Sequence, residues 1–202
     1  MRRVMVIPAG YTSTGEYEVN LQSSTMAAGL ASGSDIFQFR TNVAGKLFLV
    51  HRVSIWAVNQ STVFTGGGTF VFNMLQVRSW SANGSGGVAA TLTGGNAKLR
   101  QSGQVPLLSA SGSGLRIADT AALTAGTRTV DAQGMRSIGG SVSATAFAPI
   151  VFPTVDLFND DGRYPLCLEQ NTGFVVQATV PAAGTWSFGV SVRWEETGGY
   201  PN

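Results

Sequence analysis

Residues 185–196 alternate without a break. Trp186, Phe188, Val190, Val192 and Trp194 fall on one side, and Thr185, Ser187, Gly189, Ser191 and Arg193 on the other. A period of two puts successive side chains on opposite faces of a pleated strand, so the stretch predicts a half-buried antiparallel strand. Burying the five apolar side chains contributes roughly 8–15 kcal/mol gross, at about 1.5–3 each, before chain entropy is subtracted. The apolar run 174–180 joins it through Pro181-Ala-Ala-Gly184, a connection of the length that closes a hairpin. The spacing therefore predicts a C-terminal β-hairpin with a large aromatic payload, a core element and not a site.

The rest of the chain reads as strands and turns. Short strands are expected at 4–7, 17–21 and 35–40, and a long one at 46–59. That long strand is apolar on both faces, with Leu47, Leu49, Val53 and Ile55 on one and Phe48, Val50, Trp56 and Val58 on the other. Such a strand is central in a sandwich or covered by a second subunit. Another strand spans 69–80, a short one within 97–109 ends at Pro106, and Gly126 turns the chain into a further strand. Residues 117–123 allow at most one helical turn. A strand over 141–152, broken at Pro149 and Pro153, belongs at an edge. The 26 glycines among 202 residues suit a chain with this many turns. The prediction is an all-β fold: an extended N-terminal arm at 1–33, then one domain, 34–202, a jelly-roll-like two-sheet β-sandwich.

Charge is scarce, at 12% of residues, which suggests a surface covered by oligomerisation or assembly. The net charge of +2 is too small to argue for nucleic acid, but its distribution is uneven. Between Ile36 and Ala118 lie Arg40, Lys46, Arg52, Arg78, Lys98, Arg100 and Arg116 with no acidic residue, whereas 156–196 is mainly acidic. Either the two regions form complementary patches toward a partner, or the fold mixes them. Arg2, Arg3, Arg40, Arg52 and Arg78 are the candidate interaction residues. The start of the chain lacks the apolar core of a secretory signal, and no stretch approaches the length of a membrane helix. A protein made in a cytoplasm, with no membrane partner, is expected.

Motifs that carry chemistry are few. Cys167, the one cysteine, leaves no internal disulfide and reads as a small buried side chain. His51, the one histidine, has no second His or Cys to complete a metal site. Asp156, Asn159, Asp160 and Asp161 could offer oxygens to calcium, but Asn-Asp-Asp-Gly is also a strong turn signature, and the turn is favoured. Trp56, Trp80, Trp186 and Trp194 all lie in apolar strands, so a sugar-binding aromatic cannot be told from core. No nucleophile elbow, phosphate loop or dinucleotide fingerprint occurs. These residues predict neither an enzyme nor a cofactor.

Three stretches, 121–131 (Ala-Ala-Leu-Thr-Ala-Gly-Thr-Arg-Thr-Val-Asp), 163–176 (Arg-Tyr-Pro-Leu-Cys-Leu-Glu-Gln-Asn-Thr-Gly-Phe-Val-Val) and 183–196, resemble segments of small virion structural proteins of tailed bacteriophages. The resemblance covers about a quarter of the chain, mainly its C-terminal third. It implies a capsid decoration (cement) protein: a jelly roll on the outside of the head, commonly trimeric, bridging subunits of the major capsid protein without catalysis or cofactor. It implies synthesis in the host bacterial cytoplasm and residence on the virion. A head-fibre or tail-tip protein binding a host glycan is the competing expectation, and a non-viral carbohydrate-binding module a third.

Overall fold

The computed structural model describes residues 13–60, 64, 67–93, 97–99, 104–108, 114–142, 151–160 and 164–198. In chain order the strands are β1 (Ser13–Gln22), β2 (Met26–Ala27), β3 (Ser34–Thr41), β4 (Leu47–Asn59), β5 (Gly68–Ala82), β6 (Val88–Ala89) and β7 (Leu115–Ile117). They continue with β8 (Thr127–Val130), β9 (Arg136–Val142), β10 (Val151–Asn159), β11 (Leu166–Leu168), β12 (Thr172–Thr179) and β13 (Thr185–Thr197). The described residues hold no α-helix, and 117–123 is the end of β7 followed by a bend.

Two antiparallel sheets pack face to face. The first runs β1-β13-β4-β10, with β2 on β13 and β11 on β4; the second runs β6-β7-β3-β12-β5-β8, with β9 also on β5. The pairs β1:β13, β3:β12, β4:β10 and β5:β9 join the outermost strands of the chain, then the next inward, and so on. A long hairpin of paired strands rolled up in this way is a jelly roll.

The roll corrects the expected C-terminal hairpin. β12 lies between β3 and β5 in the second sheet, and β13 between β1 and β4 in the first. Both edges of each strand are taken, so 180–184 is a corner between sheets. The two strands still share a core, because Phe174 and Val176 face Phe188 and its neighbours from the opposite wall. Phe39 stacks on Phe174 at 5.2 Å, and Trp186 meets the edge of Phe70 at 5.1 Å.

Within the expected N-terminal arm, residues 1–12 lie outside the described residues, and the strand expected at 17–21 is present as part of a longer one. That strand is β1, paired along β13 with Tyr17 opposite Trp194, their rings 5.4 Å apart. Tyr17, Val19 and Leu21 turn to the core while Glu16, Glu18 and Asn20 turn out, an alternation long enough for a sheet strand. The outer edge of β1 is closed by 97–99, where the Glu18 N–H donates to the Ala97 carbonyl at 2.7 Å. That is where the strand expected within 97–109 lies; Pro106 instead precedes a single tight turn. The strand expected over 141–152 is divided: 141–142 end β9 in the second sheet, and 151–152 open β10, an edge strand of the first sheet that runs through Pro153 and has its register broken on either side of Val155–Asp156. Residues 4–7 and Pro149 lie outside the described residues. Cys167 is half-buried on β11, and burial pushes its thiol pKa up.

Among the described residues two carboxylates are buried, Asp35 and Glu196. Glu196 is fully buried and accepts from the Leu107 N–H at 2.8 Å and from Trp194 Nε1 at 3.2 Å. It holds 104–108 against the core, where Leu108 is buried. Burial pushes the Glu196 pKa up, and burial together with Glu196 pushes Tyr17 up to about 12.

The outer face of the second sheet is covered. Val77, Trp80 and Val175 form a second apolar cluster there, with the Arg128 guanidinium 5.4 Å above the Trp80 ring. Asp35 pairs with Arg128 and accepts from Gln38 and Gln177. Residues 83–85 and 123–124 lie over this layer: Gln38 donates to the Thr124 carbonyl and Leu123 to the Asp35 carbonyl.

Candidate functional site

A β-bulge organises the outer face of the first sheet. Arg193 of β13 faces Arg52 of β4, and Trp194 faces Val50, which leaves His51 without an opposite residue. The extra residue shifts the phase of β4. Phe48 and Val50 point to the core before it, and Val53, Ile55 and Ala57 after it. Before the bulge Leu47 and Leu49, on the opposite face from Phe48 and Val50, are buried as well, so the two apolar faces expected for 46–59 hold at 47–50; beyond His51 a single core face remains. Arg52, Ser54 and Trp56 are left on the outside.

Downstream of the bulge, charged and polar residues line up across the strands. Glu18, Arg193, Arg52 and Asn159 make one row through β1, β13, β4 and β10. Arg52 Nη2 donates to Glu18 Oε1 at 2.5 Å, and Arg193 Nε to Glu16 Oε1 at 2.8 Å. His51 is held on both sides, with Nδ1 2.5 Å from Asp160 Oδ2 and Nε2 3.6 Å from Glu195 Oε2. The Glu195 carboxylate, seconded by Asp160, keeps the His51 pKa above its ordinary value against the opposing effect of burial. Glu16, His51, Arg52, Asn159, Asp160 and Arg193 line an open depression of about 400 Å³.

The acidic run splits among protein partners. Asp156 accepts from Ser54 Oγ at 2.7 Å and from Asn159 Nδ2 at 3.2 Å, while Asp160 turns to His51. Asp161 lies outside the described residues. Among the described residues no group of three or more His, Cys, Asp or Glu side chains is placed to hold a metal ion. The depression presents carboxylate acceptors beside guanidinium and amide donors, a set suited to hydrogen-bonding a polar ligand.

Trp56 lies on the same face, its indole against Gly189, where a Cβ would overlap Nε1, Cε2 and Cζ2. It is partly exposed, whereas Trp80, Trp186 and Trp194 are at most 1% exposed. The structure thus separates the one outward tryptophan from three in apolar clusters.

The arginines expected to act at interfaces are dispersed. Arg52 lines the depression. Arg40, on β3 in the second sheet, is 8% exposed and donates to Asn83 Oδ1 at 2.5 Å and Asn171 Oδ1 at 3.0 Å, tying two loops; burial lowers its pKa. Arg78 is exposed and binds Asp131 through two nitrogens at 2.8–3.1 Å. Arg2 and Arg3 lie outside the described residues. Arg52 with Glu18 and Arg78 with Asp131 show that the basic 36–118 region is mixed with carboxylates from elsewhere on the folded surface.

Sequence reasoning missed Glu16, Glu18, Arg193 and Glu195 as members of one site. Their signal is present in Glu16-Tyr-Glu18 and Arg193-Trp-Glu195, where charges alternate with core aromatics. What the sequence does not carry is the pairing of β1 with β13. Compared with known proteins, the chain matches no protein-family model and no curated protein.

Proposed function

We propose that this chain is a non-enzymatic structural protein of a tailed-phage virion, a decoration (cement) protein that binds the outside of the assembled capsid and stabilises it. The observation that carries the reading is the outer face of the first sheet. Its charges are paired with one another across four strands, which gives a shaped surface with hydrogen-bonding groups and no poised nucleophile among the depression's lining residues. The resemblance of 121–131, 163–176 and 183–196 to virion proteins supplies the setting, with the major capsid protein as partner and a homotrimer as the working unit. Binding the mature shell and not its free subunits stabilises the shell by mass action, and many copies on a lattice add their effects.

Gold-labelled antibody on intact particles tests this directly. Label over the whole head is the expected outcome, with heads lacking the protein rupturing at lower temperature. Label confined to a vertex or tail would replace the reading with an adhesive one. Light scattering on the purified chain should give about three times the 21.1 kDa chain mass.

A second reading, a head-fibre or tail-tip protein that binds a host glycan, is favoured by one observation, the outward Trp56.

A further inference from the structure

The outer face of the first sheet, on which the capsid reading also draws, combines two features that together suit a smaller ligand. One is the partly exposed indole of Trp56, packed against Gly189. The other is the depression, four residues along β4 at Arg52, or about 13 Å away at strand rise. Between them the row Asn20, Ser191, Ser54 and Asp156 crosses the sheet with short polar side chains, so the path from ring to depression is low.

We propose that this face binds a neutral oligosaccharide, one pyranose stacked on Trp56 and later units hydrogen-bonded in the depression. The C–H face of a pyranose is apolar and flat, and a partly exposed indole fixed by its packing against the sheet complements it. Vicinal hydroxyls are donors and acceptors at once, as the side-by-side carboxylates, guanidinia and amide of the depression require. Charge selects the class. Glu16 is paired with Arg193 and Glu18 with Arg52, while His51, even when protonated, faces the two carboxylates of Asp160 and Glu195; the face therefore leans negative, and an acidic sugar meets like charge and must displace a carboxylate from its arginine. A nucleic acid could stack a base on Trp56, but it needs a net-positive track for its phosphates, and this face has none. The proposal does not rest on the capsid location, since it concerns the isolated chain.

The test is affinity electrophoresis of the full chain through gels containing dextran, β-glucan, galactomannan or arabinogalactan, with hyaluronan and oligo-dT as charged probes. Tryptophan emission is read in parallel. At least one neutral polysaccharide should retard the protein and protect emission from acrylamide quenching, because Trp56 is the tryptophan that quencher reaches. Trp56→Ala should weaken that retardation about tenfold or more with an unchanged melting temperature, and Trp56→Phe should retain part of it. Retardation by none of the neutral polymers, retardation by hyaluronan or oligo-dT alone, or equal retardation of Trp56→Ala would each overturn the proposal. The gold-labelling result is unaffected by any of these, so the two readings fail separately.

Discussion

On the first sheet's outer face Arg193 pairs with Glu16 at 42% and 25% exposure; on the second sheet's, Arg128 pairs with Asp35 at 6% and 4%. Each pair joins a guanidinium to a carboxylate, but the physics differs. The exposed pair sits in water, gains little and is screened by salt. The buried pair has given up its hydration, and Gln38 and Gln177 complete the hydrogen bonding of Asp35 under the covering loops. Burial, and not the identity of the partners, decides what an ion pair does. The covered face holds loops in place, while the open one is left free to meet a ligand.

Paired substitutions can break this contrast. The largest effect is expected at the tryptophans. Trp80→Ala should lower unfolding free energy by about 4 kcal/mol, and Trp56→Ala by less than about 1, in urea titrations. Equal losses would mean that Trp56 is core as well. Next come the ion pairs. Asp35→Ala strands the buried Arg128 and should lose about 3 kcal/mol, whereas Glu16→Ala should lose under about 1 kcal/mol, and less still in high salt.

Two titrations sharpen the comparison further. Burial raises the Glu196 pKa above 4.5, so the folded state holds its proton more tightly than the unfolded chain does. The stability this contributes is complete below pH 4.5 and lost as pH rises through the raised value. Glu196→Gln should flatten stability over that window; an unchanged profile would place the titration elsewhere. His51 is smaller in effect. Its folded pKa lies above 6.5, so its stabilisation is complete below pH 6.5 and lost as pH rises through the folded value. A fall of about 1–3 °C in melting temperature is expected across that rise, absent in His51→Gln.

Much of the fold was legible because alternation survives wherever a strand is regular. β13 was readable residue by residue, and Pro153 does lie on an edge strand, β10, although it sits inside that strand and does not end it. Alternation fails where register breaks. The bulge at His51 moves the core phase of β4 by one position, and a window spanning it looks apolar on both faces. Connection length misled at 180–184 because four residues span a corner between sheets as well as a turn within one. Nor can a strand's own sequence say which neighbour it meets, so the site built from β1, β13, β4 and β10 was invisible even though half its charges sat beside the best-read aromatics. Trp56 and Trp186 differ only in which side of a sheet they occupy, and that is a property of the assembled layers.

The placement of β13 between β1 and β4 also governs how the molecule comes into being. Tyr17 meets its partner Trp194 only after the long stretch between them has been synthesised, about 9–35 s later at ordinary translation rates. Until then β1 and β4 each present an unpaired backbone edge that β13 will later fill. Closing so long a loop is entropically slow, and open edges meanwhile pair with those of other nascent chains. Yield during overproduction should therefore be set by the rate at which chains are started, rising when initiation is slowed, because the hazard is the waiting time of an incomplete sheet.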